Sequence, residues 1–180
     1  MSLRKLAKSK AWPRLAAILL LAGALGGCFQ PMYGQSTLFG AGAKLRDELR
    51  QVEILEISGR LGQEIRNDLI FELTGGQGNP VGAPYKLAMT ITSSSQTPLV
   101  DVASGRATSE IVVLDVTYRV LDVANDRIVL SEKATARISL DRSQQRFAAS
   151  RAVRDAQNRA AKLVAEQIRS RLASYFLTRT

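Results

Sequence analysis

Cys28 is the only cysteine in the chain, and there is no histidine. These two facts bound the chemistry. A Ser-His-Asp or Cys-His relay needs an imidazole. Zinc sites almost always draw on His or Cys, and one thiol does not make one. A single cysteine also has no partner within the chain for a disulfide. The 16 acidic residues are scattered, mostly beside basic ones, so no carboxylate pair stands out for acid–base work. The glycine-rich GGQGNP, Gly75 to Pro80, lacks the Gly-Lys-Ser/Thr of a phosphate cradle and reads as a loop after a helix. No enzyme activity, metal or cofactor is expected. What remains is one thiol, together with cations that could meet an anion.

The surroundings of Cys28 say what the thiol is for. Arg4, Lys5, Lys8, Lys10 and Arg14 precede it, with no acid before residue 28. LAAILLLAGAL, Leu15 to Leu25, is apolar throughout. A basic start, a short apolar core and small boundary residues describe an export signal. The core is shorter than the roughly 20 apolar residues that a membrane span needs. Leu25-Gly26-Gly27-Cys28 resembles the bacterial lipobox. That resemblance implies cleavage before Cys28 and acylation of its thiol and new amino group. Several acyl chains anchor stably, because each buried CH₂ contributes about 0.8 kcal/mol and one chain alone is marginal. Phe29 follows Cys28 where an aspartate would signal retention in the inner membrane, so an outer-membrane anchor facing the periplasm is expected.

Processing changes the charge. The precursor carries 25 Lys/Arg against 16 Asp/Glu, a net +9. Loss of residues 1–27 removes five bases and no acid, leaving +4. A value that low does not call for nucleic acid, and export argues further against it. The remaining charge is uneven: net +7 from Arg137 onward and −3 from Cys28 to Ala136. Such asymmetry fits an anionic partner for the basic part, or an ordinary solvated helix face.

Periodicity supplies the elements that must position these groups. Residues 28–50 mix Gln, Pro, Gly and Ser with scattered aromatics and read as a tether from the signal, 1–27, to a single domain, 51–180. QVEILEIS alternates as a first strand. Leu61, Ile65, Leu69 and Leu73 recur every four residues, one face of a helix that Gly75 and Gly76 end. YKLAMTITSS alternates again. In TSEIVVLDVTYRVLD, Val112, Leu114, Val116, Tyr118 and Val120 line one face, with Ile111, Val113, Asp115, Thr117 and Arg119 on the other. After a VANDRI turn, Ile128, Leu130, Ala134, Ala136, Ile138 and Leu140 are read in phase, with Glu132 interrupting them at a bulge or exposed edge. From about Ser143 to Leu177 one long helix follows, with Val153, Ala160, Val164, Ile168 and Tyr175 on one side. The fold is therefore read as α+β: a two-layer sandwich, with a four-stranded sheet and two helices on one face, in the order β-α-β-β-β-α. The strands are expected to be antiparallel. Alternation puts Lys86, Arg119, Lys133 and Arg137 on the sheet face turned away from the helices. Arg106 falls in the connection beside Gly105.

Three stretches carry a family resemblance. CFQPMYG, Cys28 to Gly34, resembles the mature start of the alphaproteobacterial LptE lipopolysaccharide-assembly lipoproteins, where Cys-Gly-Phe-x-Pro-Leu-Tyr is usual. Phe29 stands where that pattern has glycine. RLGQEIRNDL, Arg60 to Leu69, is similar to the family's first helix, with its Gly-Gln and Arg-Asn pairs. FAASRAVRDAQNRAAKLVAEQIRSRL, Phe147 to Leu172, is similar to its last. The resemblance implies an outer-membrane lipoprotein, held through acylated (palmitoylated) Cys28, that plugs and helps assemble the LptD β-barrel. It also implies assistance to lipopolysaccharide transport and lipopolysaccharide binding. Lys86, Arg106, Arg119, Lys133 and Arg137 are the candidate contacts for lipid phosphates, since guanidinium and ammonium groups among hydroxyls suit them. A different role, as an assembly or secretion accessory at the outer membrane, is the alternative; it predicts a different protein partner.

Overall fold

The computed structural model describes residues 41–97, 100–101, 106–107, 109–141 and 145–179. Residues 1–27 and Cys28 lie outside these. Helix α1, Ala41–Leu49, leads into strand β1, Val52–Ile54, and helix α2, Arg60–Thr74. Strand β2, Tyr85–Gln96, is followed by two short strands, β3, Val100–Asp101, and β4, Arg106–Ala107. Strand β5, Ser109–Asp122, and strand β6, Arg127–Asp141, form the long hairpin before helix α3, Arg146–Thr178. The four-stranded sheet runs β1-β2-β5-β6, and β3 pairs only with β4.

The α+β reading holds, with two refinements. First, β1 runs parallel to β2, Val52 opposite Tyr85, while the other sheet pairs are antiparallel. A parallel pair needs a crossover, and α2 supplies it. Second, α1 lies within the stretch read as tether, and its Leu45 and Leu49 are buried in the core.

One layer of the core comes from the sheet: Val52 and Ile54, Leu87, and Leu114, Val116, Tyr118 and Val120. Facing it are Ile65 and Leu69 of α2 with Ala160, Ala161, Val164, Ala165, Ile168 and Leu172 of α3. The alanines let α3 lie close over β5 and β6, where Ala134 and Ala136 are likewise small. Between the helices Arg169 Nη1 meets Glu72 Oε2 at 2.7 Å. The C-terminal end of α3 packs through Phe176, edge-on to Tyr85 with ring centroids 5.3 Å apart.

Register decides one face assignment against the periodic reading. Val120 pairs with Leu130, yet Leu121 pairs with Ile128, so Val129 is an extra residue on β6. An extra residue reverses the side-chain phase beyond it. Ile128 therefore leaves the helix-facing row that Leu130 to Leu140 keep, and it is exposed. Glu132 is not the bulge. It stays in that row opposite Tyr118, whose hydroxyl donates to Glu132 Oε2 at 3.3 Å, with Arg171 Nε 3.5 Å from the same oxygen.

Candidate functional site: the open sheet face

The sheet face opposite the helices carries four of the five candidate cations. On β2, Lys86 alternates with buried Tyr85 and Leu87, followed on the same side by Ala88, Thr90 and Thr92. On β5 this face presents Asp115, Thr117 and Arg119. On β6 it presents Ser131, Lys133, Thr135, Arg137 and Ser139. Arg119 lies between Ala88 and Ser131, Lys133 opposite Thr117, and Arg137 opposite Val113. Lys86 and Arg119, and likewise Arg119 and Lys133, are thus diagonal neighbours, which in a sheet means about 7–8 Å between backbones. Arg106 does not join them. It belongs to the separate β3–β4 ladder, opposite Asp101, and its side chain lies outside the described residues.

The stripe is not uniformly cationic. Asp115 sits opposite Thr135, accepts a hydrogen bond from Thr135 Oγ1 at 2.7 Å and lies 3.2 Å from Lys133 Nζ. The Thr135 hydrogen bond, then the one from Lys133, hold its carboxyl below the ordinary carboxylate range, with the charge of Arg137 adding to the effect. Close cations need an anion between them, and on this half of the face the chain provides it. Glu53 on β1 lies opposite Lys86 on this face, but its carboxylate accepts from the Gly82 N–H at 3.2 Å, and neither Lys86 nor Arg119 forms an ion pair with any described acid. Alternation alone puts Asp115 on this face; its pairing depends on the β5–β6 register.

A second set of polar residues holds the scaffold. Gly62 has no room for a side chain, since an added Cβ would stand 2.7 Å from Ile57 Cγ2. Next to it, Gln63 Nε2 donates to the Ile57 carbonyl at 3.1 Å. Arg66 Nε donates to the Ile54 carbonyl at 3.4 Å, and Arg60 reaches α3 at Gln157 and Asn158. The Gly-Gln pair and the neighbouring arginines of RLGQEIRNDL therefore fasten the β1–α2 connection. A cleft of about 410 Å³ beside Arg60 is lined by Glu110, Val153, Arg154 and Gln157. It brings together no catalytic set. Among the described residues no cluster of three or more potential metal ligands occurs, and no helix is long and apolar enough to cross a membrane.

Comparison with known proteins agrees with this architecture. A solved chain from Caulobacter crescentus CB15, described as a lipoprotein, is 27% identical with a TM-score of 0.60, covering 74% of this chain and 96% of its own. A minor lipoprotein from Acinetobacter baumannii matches at 16% identity and TM-score 0.54, over 68% of this chain and 88% of that one. Rare lipoprotein B from Shewanella oneidensis matches at 14% and 0.53, over 71% and 95%. The latter two likenesses concern the fold. No curated protein matches the chain. The family model for LptE, lipopolysaccharide-assembly, matches residues 42–172, nearly the whole described domain. The chain belongs to the LptE lipopolysaccharide-assembly family, whose members are non-enzymatic assembly lipoproteins.

Proposed function

We propose that this lipopolysaccharide-assembly lipoprotein plugs an LptD-type outer-membrane β-barrel, helps it fold, and offers its open sheet face to lipopolysaccharide in transit. Acylated Cys28 holds it at the membrane. The observation that carries the lipid part is the pair Lys86 and Arg119, cations beside hydroxyl groups on a face that no described helix covers. Phosphates are matched by such donors, arginine through its fixed fork and lysine as a point charge. Family membership supports the barrel part. A plug needs a large complementary surface, commonly about 2,000 Å² or more for permanent complexes. The domain should therefore hold the barrel by that surface, with the acyl chains raising its local concentration.

The test is co-purification from detergent-solubilised outer membranes, with the wild type compared with Cys28→Ala. The wild type should carry labelled fatty acid and bring down a large barrel at equal stoichiometry. Purified Cys28→Ala, free of fatty acid, should still bind that barrel when added in solution. A wild type that retains no barrel, or a folded unacylated form that does not bind it, contradicts the plug reading. Fatty acid still incorporated by Cys28→Ala contradicts the anchor.

A further inference from the structure

Building on the reading of the open sheet face as the lipopolysaccharide contact, we propose that Asp115 is a tethered competitor for the lipid's phosphates, leaving Lys86 and Arg119 as the stronger half of the face. The Asp115 carboxylate already takes the contacts a phosphate would seek there. One oxygen accepts from the Thr135 hydroxyl at 2.7 Å, and the other lies 3.2 Å from Lys133 Nζ. Both charged side chains stay accessible, Lys133 at 56% and Asp115 at 32%, so solvent and ligand can reach the pair. An arriving phosphate must displace an anion held in place by the chain, and a tethered group competes at a high effective concentration. Its own charge also repels the newcomer. No described acid pairs with Arg119 or Lys86.

The face is thus graded along its length. Arg119 meets a phosphate with no internal partner to displace, and Lys86 has Glu53 opposite it on β1 but forms no ion pair with it, whereas Lys133 must first exchange its internal partner. Grading suits passage: a ligand that is to move on must be bound well enough to enter and weakly enough to leave. A merely structural Asp115, relieving repulsion between Lys133 and Arg137, would matter for folding and not for affinity.

The measurement is lipopolysaccharide binding to the full-length chain in detergent, by titration and by dissociation rate, with melting curves as control. Asp115→Asn and the β-branched Asp115→Thr remove the competitor in two ways, so one poorly folding variant does not decide the matter. Both should bind roughly two- to fivefold more tightly, the scale of one exposed ion pair, and release more slowly. Lys133→Ser alone should change little, but added to Asp115→Asn it should abolish the gain. On dephosphorylated lipopolysaccharide the gain should vanish. Unchanged or weaker binding by both folded Asp115 variants, while Arg119→Ser still weakens it, overturns the competitor and leaves the face as the contact. A gain that persists on the dephosphorylated lipid overturns it too. If Arg119→Ser and the Asp115 variants all bind as wild type, the face is not the contact and both readings fall.

Discussion

Gln167 reaches from α3 to the outer edge of β6, where its side-chain amide pairs with both peptide groups of Thr135. The Thr135 N–H donates to Oε1 at 3.3 Å, and Nε2 donates to the Thr135 carbonyl at 3.1 Å. The opposite edge is closed the same way. Asn79 Oδ1 accepts from the Ile54 N–H at 2.9 Å, and its Nδ2 donates to the Ile54 carbonyl at 3.1 Å. Each amide imitates one residue of a neighbouring strand. Unpaired edges invite other chains to add strands, so both caps oppose self-association.

Gln167→Met keeps a helix-compatible side chain of similar length and removes both bonds. Its melting temperature should fall slightly, since a typical hydrogen bond contributes about 0.5–1.5 kcal/mol. The larger effect should be concentration-dependent association, read by light scattering across a dilution series. A variant that stays monomeric at every concentration contradicts the edge-capping role.

Gly62→Ala should destabilise the domain although alanine favours helix. The helix gain is about 1 kcal/mol. Against it, the new Cβ would lie 2.7 Å from Ile57 Cγ2 and 3.2 Å from the Ile57 carbonyl oxygen, and overpacking of this kind costs about 1–3 kcal/mol. Both atoms belong to the short connection clamped by Gln63, so neither moves freely. Gly62→Ala combined with Ile57→Ala should recover stability relative to Gly62→Ala alone, by urea unfolding. No recovery would show that the contact with Ile57 Cγ2 is not the cause.

Asp122 should make the β5–β6 turn sensitive to acid. Its carboxylate accepts from Asn125 Nδ2 at 2.8 Å and from the Ala124 and Asn125 N–H groups at 3.1 and 3.4 Å. These bonds, the Asn125 side chain first, hold its carboxyl below the ordinary value of 3.8. A depressed acid contributes stability that is complete above the unfolded value and lost as pH falls through the folded one. Asp122→Ala should therefore melt earlier than wild type at neutral pH. The gap should narrow below pH 3.8. A gap that stays constant down to pH 2 would contradict the assignment.

Arg119→Ser and Lys86→Ser should each weaken lipopolysaccharide binding, and the double variant should also lose most of its salt sensitivity. A hydrogen bond to a charged group contributes about 1.5–3 kcal/mol when well made, which sets an upper scale for each loss. Surface changes of this type usually move stability by less than about 0.5 kcal/mol, so melting curves should overlay. Unchanged affinity at low and moderate salt in the folded double variant contradicts a role for this half of the face.

Much of this protein was legible along the chain. The absence of histidine and the single cysteine excluded most catalysis, because those reactions need particular atoms whatever the fold. Alternation in β2 and β5 placed Lys86, Arg119 and Asp115 on one side, since side chains in a strand reverse at every residue. The four-residue period of α2 marked Ile65, Leu69 and Leu73 as core. Tertiary structure decided what periodicity cannot carry. The parallel pairing of β1 depends on α2 crossing over the sheet. The helix α1 has only a few core contacts, and its burial becomes visible once Leu45 and Leu49 meet the rest of the core. Ile128 changed faces through one extra residue at Val129, which is set by how two strands align and not by either alone. The same alignment brought Asp115 against Lys133 and Thr135, turning a cation stripe into two halves of different strength. Periodicity is a property of one segment; register, capping and counter-ions are relations between segments, and they exist only when the chain has folded.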